Sequence, residues 1–128
     1  MQQSLIPGLR YEDAPAAIDF LCTAFGFERR RVFAEDAPSR IVHHAELVRD
    51  GSMVMLGSGK QGVDAPADRL VTPRKAGGVT CAFTVVVDDP DAHYMRSKAA
   101  GAEIIRPPHD NEGYPGRSYD ARDPEGQC

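Results

Sequence analysis

His44-Ala45-Glu46 sets an imidazole and a carboxylate two residues apart in a run, Ile41 to Val48, that alternates as a strand does. Side chains two apart on a strand share a face. A carboxylate so placed can orient the ring, which is what a general base or a pair of metal donors requires. The pair reads first as polar lining of a pocket, then as a solvated strand face, and only then as catalysis or metal binding. The opposite face, Ile41, Ala45 and Leu47, is the greasier. It should pack on helices and so aim His44 and Glu46 at a cleft. His43 falls on the helix-facing side and is expected to be partly buried there. Arg117 and Tyr119 share a face of a later strand, and a guanidinium with a phenol suits an anionic or phenolic ligand. An ordinary ion pair near Asp120 or Glu112 is an equal reading, and Arg10 on the first strand stands on the same footing. His93 and His109 are expected to be exposed.

These groups are positioned by a duplicated unit. Leu9 to Glu28, LRYEDAPAAIDFLCTAFGFE, reads as strand, turn, helix and glycine stop, and Thr84 to Glu103, TVVVDDPDAHYMRSKAAGAE, repeats it. Asp13 falls on Asp88, Pro15 on Pro90, Ala17 on Ala92, Gly26 on Gly101 and Glu28 on Glu103. The matches lie at helix entry, at a small packing position and at helix exit, where the backbone is most demanding. Asp13 is the expected N-cap, and Ala17, Ile18, Leu21, Cys22 and Phe25 form one apolar stripe. Strands follow at Phe27–Ala34, Ile41–Val48 and Met53–Leu56, the last two joined by an Asp50-Gly51 hairpin turn. The second half is expected to open with a strand over Val79–Val87. Its helix should carry the stripe Ala92, Met95, Ala99 and Ala100, and strands at Ile104–Pro107 and Arg117–Arg122 come next. Its fourth strand would begin near Gln127, so the last strand is expected to be truncated. Gly57 to Gly78 has no period and reads as a connector.

Composition narrows the partners. A net charge of −4 over 128 residues argues against nucleic acid. No apolar run approaches the ~20 residues that cross a bilayer, and the N-terminus lacks the pattern of a secretory signal. Three widely spaced cysteines suggest neither a disulfide framework nor a zinc knuckle, and fit a reduced, cytoplasmic setting. Gly57-Ser58-Gly59-Lys60-Gln61 lacks the leading glycine and the Ser/Thr of a phosphate loop. Asp88 to Asp91 needs no calcium, because an acidic first turn answers the helix dipole.

YEDAPAAIDFL with AFGFE, HAEL before the VMLG strand, and VDDPDAHYMRSKAAGAE before RSYDARDPEG together resemble the vicinal-oxygen-chelate superfamily. That superfamily includes glyoxalase I, bleomycin-resistance proteins and extradiol dioxygenases. The resemblance implies an α+β fold of tandem βαβββ modules, with a curved mixed sheet around a cleft, commonly in a homodimer. Module one would span 4–57, the connector 58–78 and module two 79–128. The resemblance also implies a divalent metal, with ligand positions near Ile6, near Ala82 and among Met53, Val54 and Met55. None of these offers an imidazole or a carboxylate, so the usual metal site is not expected. The expected function is binding of a small organic molecule in the cleft without a cofactor, lined by His44, Glu46, Arg117, Tyr119 and Arg10. The alternative is a divalent-metal-dependent lyase or dioxygenase with altered ligands.

Overall fold

The computed structural model describes residues 3–59 and 70–128. Part of the connector, including Lys60 and Gln61 of the rejected phosphate loop, lies outside the described residues. The fold is α+β. The first half runs β1 (Gly8–Tyr11), α1 (Ala14–Phe25), β2 (Glu28–Ala34), β3 (Val42–Arg49) and β4 (Ser52–Ser58). A short helix, α2 (Pro73–Ala76), precedes α3 (Pro90–Ala99), β5 (Glu103–Asp110) and β6 (Arg117–Arg122).

Helix α1 starts where its sequence demands. The Asp13 carboxylate accepts from Ala16 N at 3.2 Å, and a proline occupies the first turn. It ends at Gly26, which takes φ +80°, a conformation a β-carbon disfavours. Its stripe of Ala17, Ile18, Leu21 and Ala24 packs on the first sheet, against Leu9, Tyr11, Ala45, Leu47, Val54 and Leu56. Leu47 is 0% exposed, and complete burial of such a side chain contributes about 1.5–3 kcal/mol.

That sheet is mixed, in the order β1-β4-β3-β2. β1 pairs parallel to β4, with Arg10 opposite Gly57. β4 and β2 pair antiparallel to β3, with Met55 opposite Glu46, and Arg31 and Phe33 opposite Glu46 and His44. Two bulges break the β2–β3 ladder. Arg30 is the extra residue between Arg29 and Arg31, and His43 the extra residue between Val42 and His44. A bulged residue is unpaired and turns out of the pleat. His43 is therefore not held against the helix as expected: its side chain is 63% exposed and meets Glu35 at 3.1 Å.

The second half departs from the repeat in two ways. Val79–Val87 is extended in sequence but forms no strand. A strand exists through its ladder partners. In the first sheet β4 serves β1 in that role, whereas here, among the described residues, the hydrogen bonds made to the segment's backbone are Phe83 N to Cys128 O at 3.1 Å, Gln127 Nε2 to Cys81 O and Arg49 Nη1 to Val86 O. β5 and β6 form a separate antiparallel pair. Helix α3 is also rotated from its expected stripe: Met95 is 64% exposed and the buried residue is Ser97. The inner side of α3 is polar because it answers the hydroxyl of Tyr119, which lies 2.9 Å from Ser97 Oγ.

The two halves are locked by the turn Asp123-Pro124-Glu125-Gly126. Asp123 and Glu125 are both buried. Glu125 accepts from Glu12 N at 2.7 Å and Asp13 N at 2.9 Å, so it closes the entry to α1. Arg96 of α3 donates to the carbonyls of Thr23 and Cys22 near the other end of α1, where a cation complements the helix dipole.

Candidate functional site

The register puts three of the five expected site residues on one surface. Residues two apart on β1, β4 and β3 alternate in step, so the sheet face away from α1 carries Arg10, Met55, His44 and Glu46, with Arg31 and Phe33 contributed by β2. His44 Nε2 lies 3.3 Å from Glu46 Oε1, and the His44 ring tilts against Phe33, with centroids 6.1 Å apart. The bulge at Arg30 re-aims β2 so that Arg30 bonds Glu46 and Arg31 Nε reaches it at 4.0 Å. The hydrogen bond to His44, then those guanidinium groups, hold the Glu46 carboxyl below its ordinary range. Glu46 is thus an anion with its charge already answered, and His44 is an imidazole oriented by it.

Arg10 is different. It is half-buried, its Nε is fully covered, and among the described residues that nitrogen has no hydrogen-bond partner. A buried donor left unsatisfied costs on the order of 1–3 kcal/mol. The guanidinium lies over Gly57: a β-carbon there would stand 2.7 Å from Arg10 Nη1, and 3.1 Å and 3.3 Å from the carbonyls of His43 and Val42. Only glycine leaves room for this crossing. No spacing rule in the sequence singles out Gly57; its role emerges from the parallel register of β1 and β4.

Arg117 and Tyr119 are placed elsewhere. Arg117 Nε and Nη2 meet the Asp91 carboxylate at 2.8 and 3.0 Å, and Nη1 meets Asp110 at 3.3 Å. This is the ordinary ion pair, made with Asp91 and Asp110 in place of Asp120 or Glu112. Tyr119 points at α3, with its hydroxyl 2.7 Å from His93 Nδ1. His93, expected to be exposed, is half-buried, stacked on Phe25, with Nε2 at 3.3 Å from the Phe25 carbonyl. Burial lowers its pKa from the ordinary value. In the neutral ring one nitrogen carries hydrogen. The Phe25 carbonyl accepts from Nε2 in the tautomer that carries hydrogen there, while the Tyr119 hydroxyl donates to Ser97 Oγ.

A cavity of about 640 Å³ opens between Thr84–Val87 and β6, floored by Leu9, Tyr11 and Phe25. At one end Gln127–Cys128 bridges its walls, through Phe83 N to Cys128 O and Asp123 N to Gln127 O at 2.9 Å. This is the place β4 holds between β1 and β3 in the first sheet. Arg117 and Tyr119 also line it, with His93 and Tyr114.

The duplication, the β1-β4-β3-β2 order and the locking turn have a counterpart in sequence. The family model described as Glyoxalase/Bleomycin resistance protein/Dioxygenase superfamily matches residues 5–127. The chain belongs to this superfamily. Uncharacterised proteins of Mycobacterium bovis and Mycobacterium tuberculosis are 33% identical over 109 residues, 82% of this chain, which spans 66% and 59% of their respective lengths. Among solved structures, TioX from Micromonospora sp. ML1 is 29% identical with a TM-score of 0.63, covering 98% of this chain and 94% of that one. Glyoxalase I from Zea mays is 21% identical with a TM-score of 0.69, over 96% of this chain and 41% of its own. A glyoxalase-related enzyme from Fulvimarina pelagi is 20% identical with a TM-score of 0.71, covering 99% and 84%. The last two speak for the fold alone.

Superfamily members commonly hold a divalent ion on the inner strand faces. The fit here is poor. The corresponding first-half positions are Ile6, Met53 and Met55, whose side chains are not donors for a hard ion. Among the described residues no three His, Cys, Asp or Glu side chains converge. His44 and Glu46 supply two donors, and Glu46 is engaged by arginines. No helix among the described residues is long and apolar enough to cross a membrane.

Proposed function

We propose that this superfamily member binds a small organic molecule on the open face of its first sheet, between Arg10 and the His44–Glu46 pair. The observation that carries the reading is the half-buried Arg10 guanidinium, which crosses Gly57 and makes no ion pair among the described residues, on a face that also presents an oriented imidazole and the apolar surface of Met55 and Phe33. A few polar groups set among apolar ones are the usual make-up of a ligand site. Arg117 and Tyr119 act in this reading as supports of α3 and not as ligand contacts. The working picture keeps modules at 4–57 and 79–128 about a connector at 58–78. It also places the protein as a homodimer in the cytoplasm, with neither nucleic acid nor membrane as partner. Exposed Val32 and Phe33 on the edge strand β2 favour pairing with a second copy.

A metal-dependent lyase or dioxygenase would have to draw on His44 and Glu46 and displace Arg30 from the carboxylate, so the metal-free reading is preferred. A thermal-shift screen of small aromatic, thiol-conjugated and phosphonate compounds tests it. A bound ligand raises the melting temperature in proportion to the logarithm of its concentration over Kd. Hits are expected to lose their effect in His44→Ala; a full screen without a hit, or hits indifferent to His44→Ala and Arg10→Gln, would count against it.

A further inference from the structure

We infer that the ligand of this face is an organic carboxylate, with the Arg10 guanidinium as its receptor and its apolar body lying over Met55 and His44. This rests on the reading that the face binds a small molecule, and adds the charge of what it binds.

The Arg10 charge stands apart from the way the rest of the chain pairs its charges. It is acidic overall, at net −4, and it pairs arginine with acid freely: Arg29 with Asp19, Arg40 with Asp13, Arg49 with Asp50, Arg117 with Asp91. Arg10 makes no such pair among the described residues. Glu46, on the same face, is taken by His44, Arg30 and Arg31. A half-buried cation that stays uncompensated among the described residues of an acidic chain leaves a vacancy for an anion.

Gly57 shows that the vacancy is built. Arg10 is opposite Gly57, and its guanidinium crosses that residue toward β3. Strands lie about 4.8 Å apart, so the charge is carried about one strand spacing from the His44 column. A carboxylate presents two oxygens to the guanidinium fork. The rest of such a ligand then falls on Met55 and on the His44 ring, which Phe33 backs. Any short oxyanion could meet a guanidinium, but only an anion with a flat apolar body uses both parts of the surface. Arg10 is therefore the charge-selecting residue, and Gly57 a positioning residue that acts through it.

Calorimetric titration of the full chain with 2-naphthoate, 2-naphthamide and inorganic phosphate tests the inference. The carboxylate is expected to bind roughly tenfold or more tightly than the amide, the difference one charge-assisted contact makes, and phosphate to bind more weakly than naphthoate. Arg10→Gln should abolish the preference for carboxylate over amide, and Arg10→Lys should keep a reduced part of it; melting curves check that each variant is folded. Equal affinity for naphthoate and naphthamide, or a preference that survives Arg10→Gln, overturns the anion assignment while leaving a small-molecule site on this face intact. Binding of phosphate as tight as naphthoate also overturns it, because the apolar surface would then contribute nothing. Absence of binding by naphthoate overturns it too, and the broader reading falls only if the thermal-shift screen is empty as well.

Discussion

Tyr11 and Asp123 stand 112 residues apart and are joined by a hydrogen bond from Oη to Oδ2 of 2.5 Å. Both are buried, at 1% and 3% exposure. Asp123 Oδ1 meanwhile accepts from Glu125 N and Gln127 N, so one carboxylate ties β1 to the turn that holds the start of α1.

Tyr11→Phe leaves Oδ2 of a buried carboxylate without its donor. A loss of about 2–3 kcal/mol is expected, read as a lower urea midpoint with an unchanged slope. The substitution also alters the alkaline limb. Burial first, and then the charge of Asp123, push the Tyr11 phenol above its ordinary value. The native state therefore favours the protonated form. Its contribution is whole below the ordinary tyrosine value of about 10 and is lost as pH rises beyond it. Denaturation curves between neutral and strongly alkaline pH should be shallower in Tyr11→Phe than in the parent.

His93 governs the acid side. Its pKa is lowered, chiefly by burial, so the native state favours the neutral ring. The stability tied to it is complete above the ordinary histidine value of about 6.5 and declines as pH falls toward the lowered native value. Protonation puts hydrogen on both ring nitrogens, so Nδ1 then donates to the Tyr119 hydroxyl at 2.7 Å and the cost is that of burying the charge. Stability measured by urea unfolding should fall as pH drops below about 6.5, and His93→Gln should flatten that fall. An unchanged slope would place the acid sensitivity in other groups.

Most of the scaffold is legible in the chain. Asp13 and Gly26 bound α1 as expected, the Asp50-Gly51 turn joins β3 to β4, and the DPEG run is a turn. Alternation along β3 correctly separates His44 and Glu46 from Ala45 and Leu47. The failures have physical causes. His43 could not be placed because a bulge inserts it, and a bulge has no period. Val79–Val87 has the composition of a strand, but strand formation depends on partners that composition does not describe. His93 looked exposed because α3 buries a polar side, the reverse of the apolar-stripe rule. The arrangement of Arg10 over Gly57 depends on a parallel pairing of residues far apart in the chain.

Gly57→Ala places a methyl group within 2.7 Å of Arg10 Nη1 and 3.1 Å of the His43 carbonyl. The guanidinium can swing aside, but the backbone must also give, so a destabilisation of about 1–3 kcal/mol is expected. If Arg10 acts through this placement, the variant should lose naphthoate affinity by more than it loses naphthamide affinity.

Arg117→Ala tests the separation of the two surfaces. Its partners Asp91 and Asp110 are exposed, so the melting temperature should shift little. Naphthoate affinity should remain that of the parent, whereas His44→Ala should weaken it. A matching loss in Arg117→Ala would return that residue to the ligand site.

Methionine methyl groups report directly where a ligand sits. Met53 and Met55 lie on β4, at the first-sheet face, while Met95 lies exposed on α3. In a titration of the methyl-¹³C-methionine protein with 2-naphthoate, the Met55 signal should move saturably, with Met53 following and Met95 unchanged. Movement of Met95 with Met53 and Met55 still, or no movement of Met55 at a concentration that stabilises the protein, would contradict the assignment of the first-sheet face as the binding site.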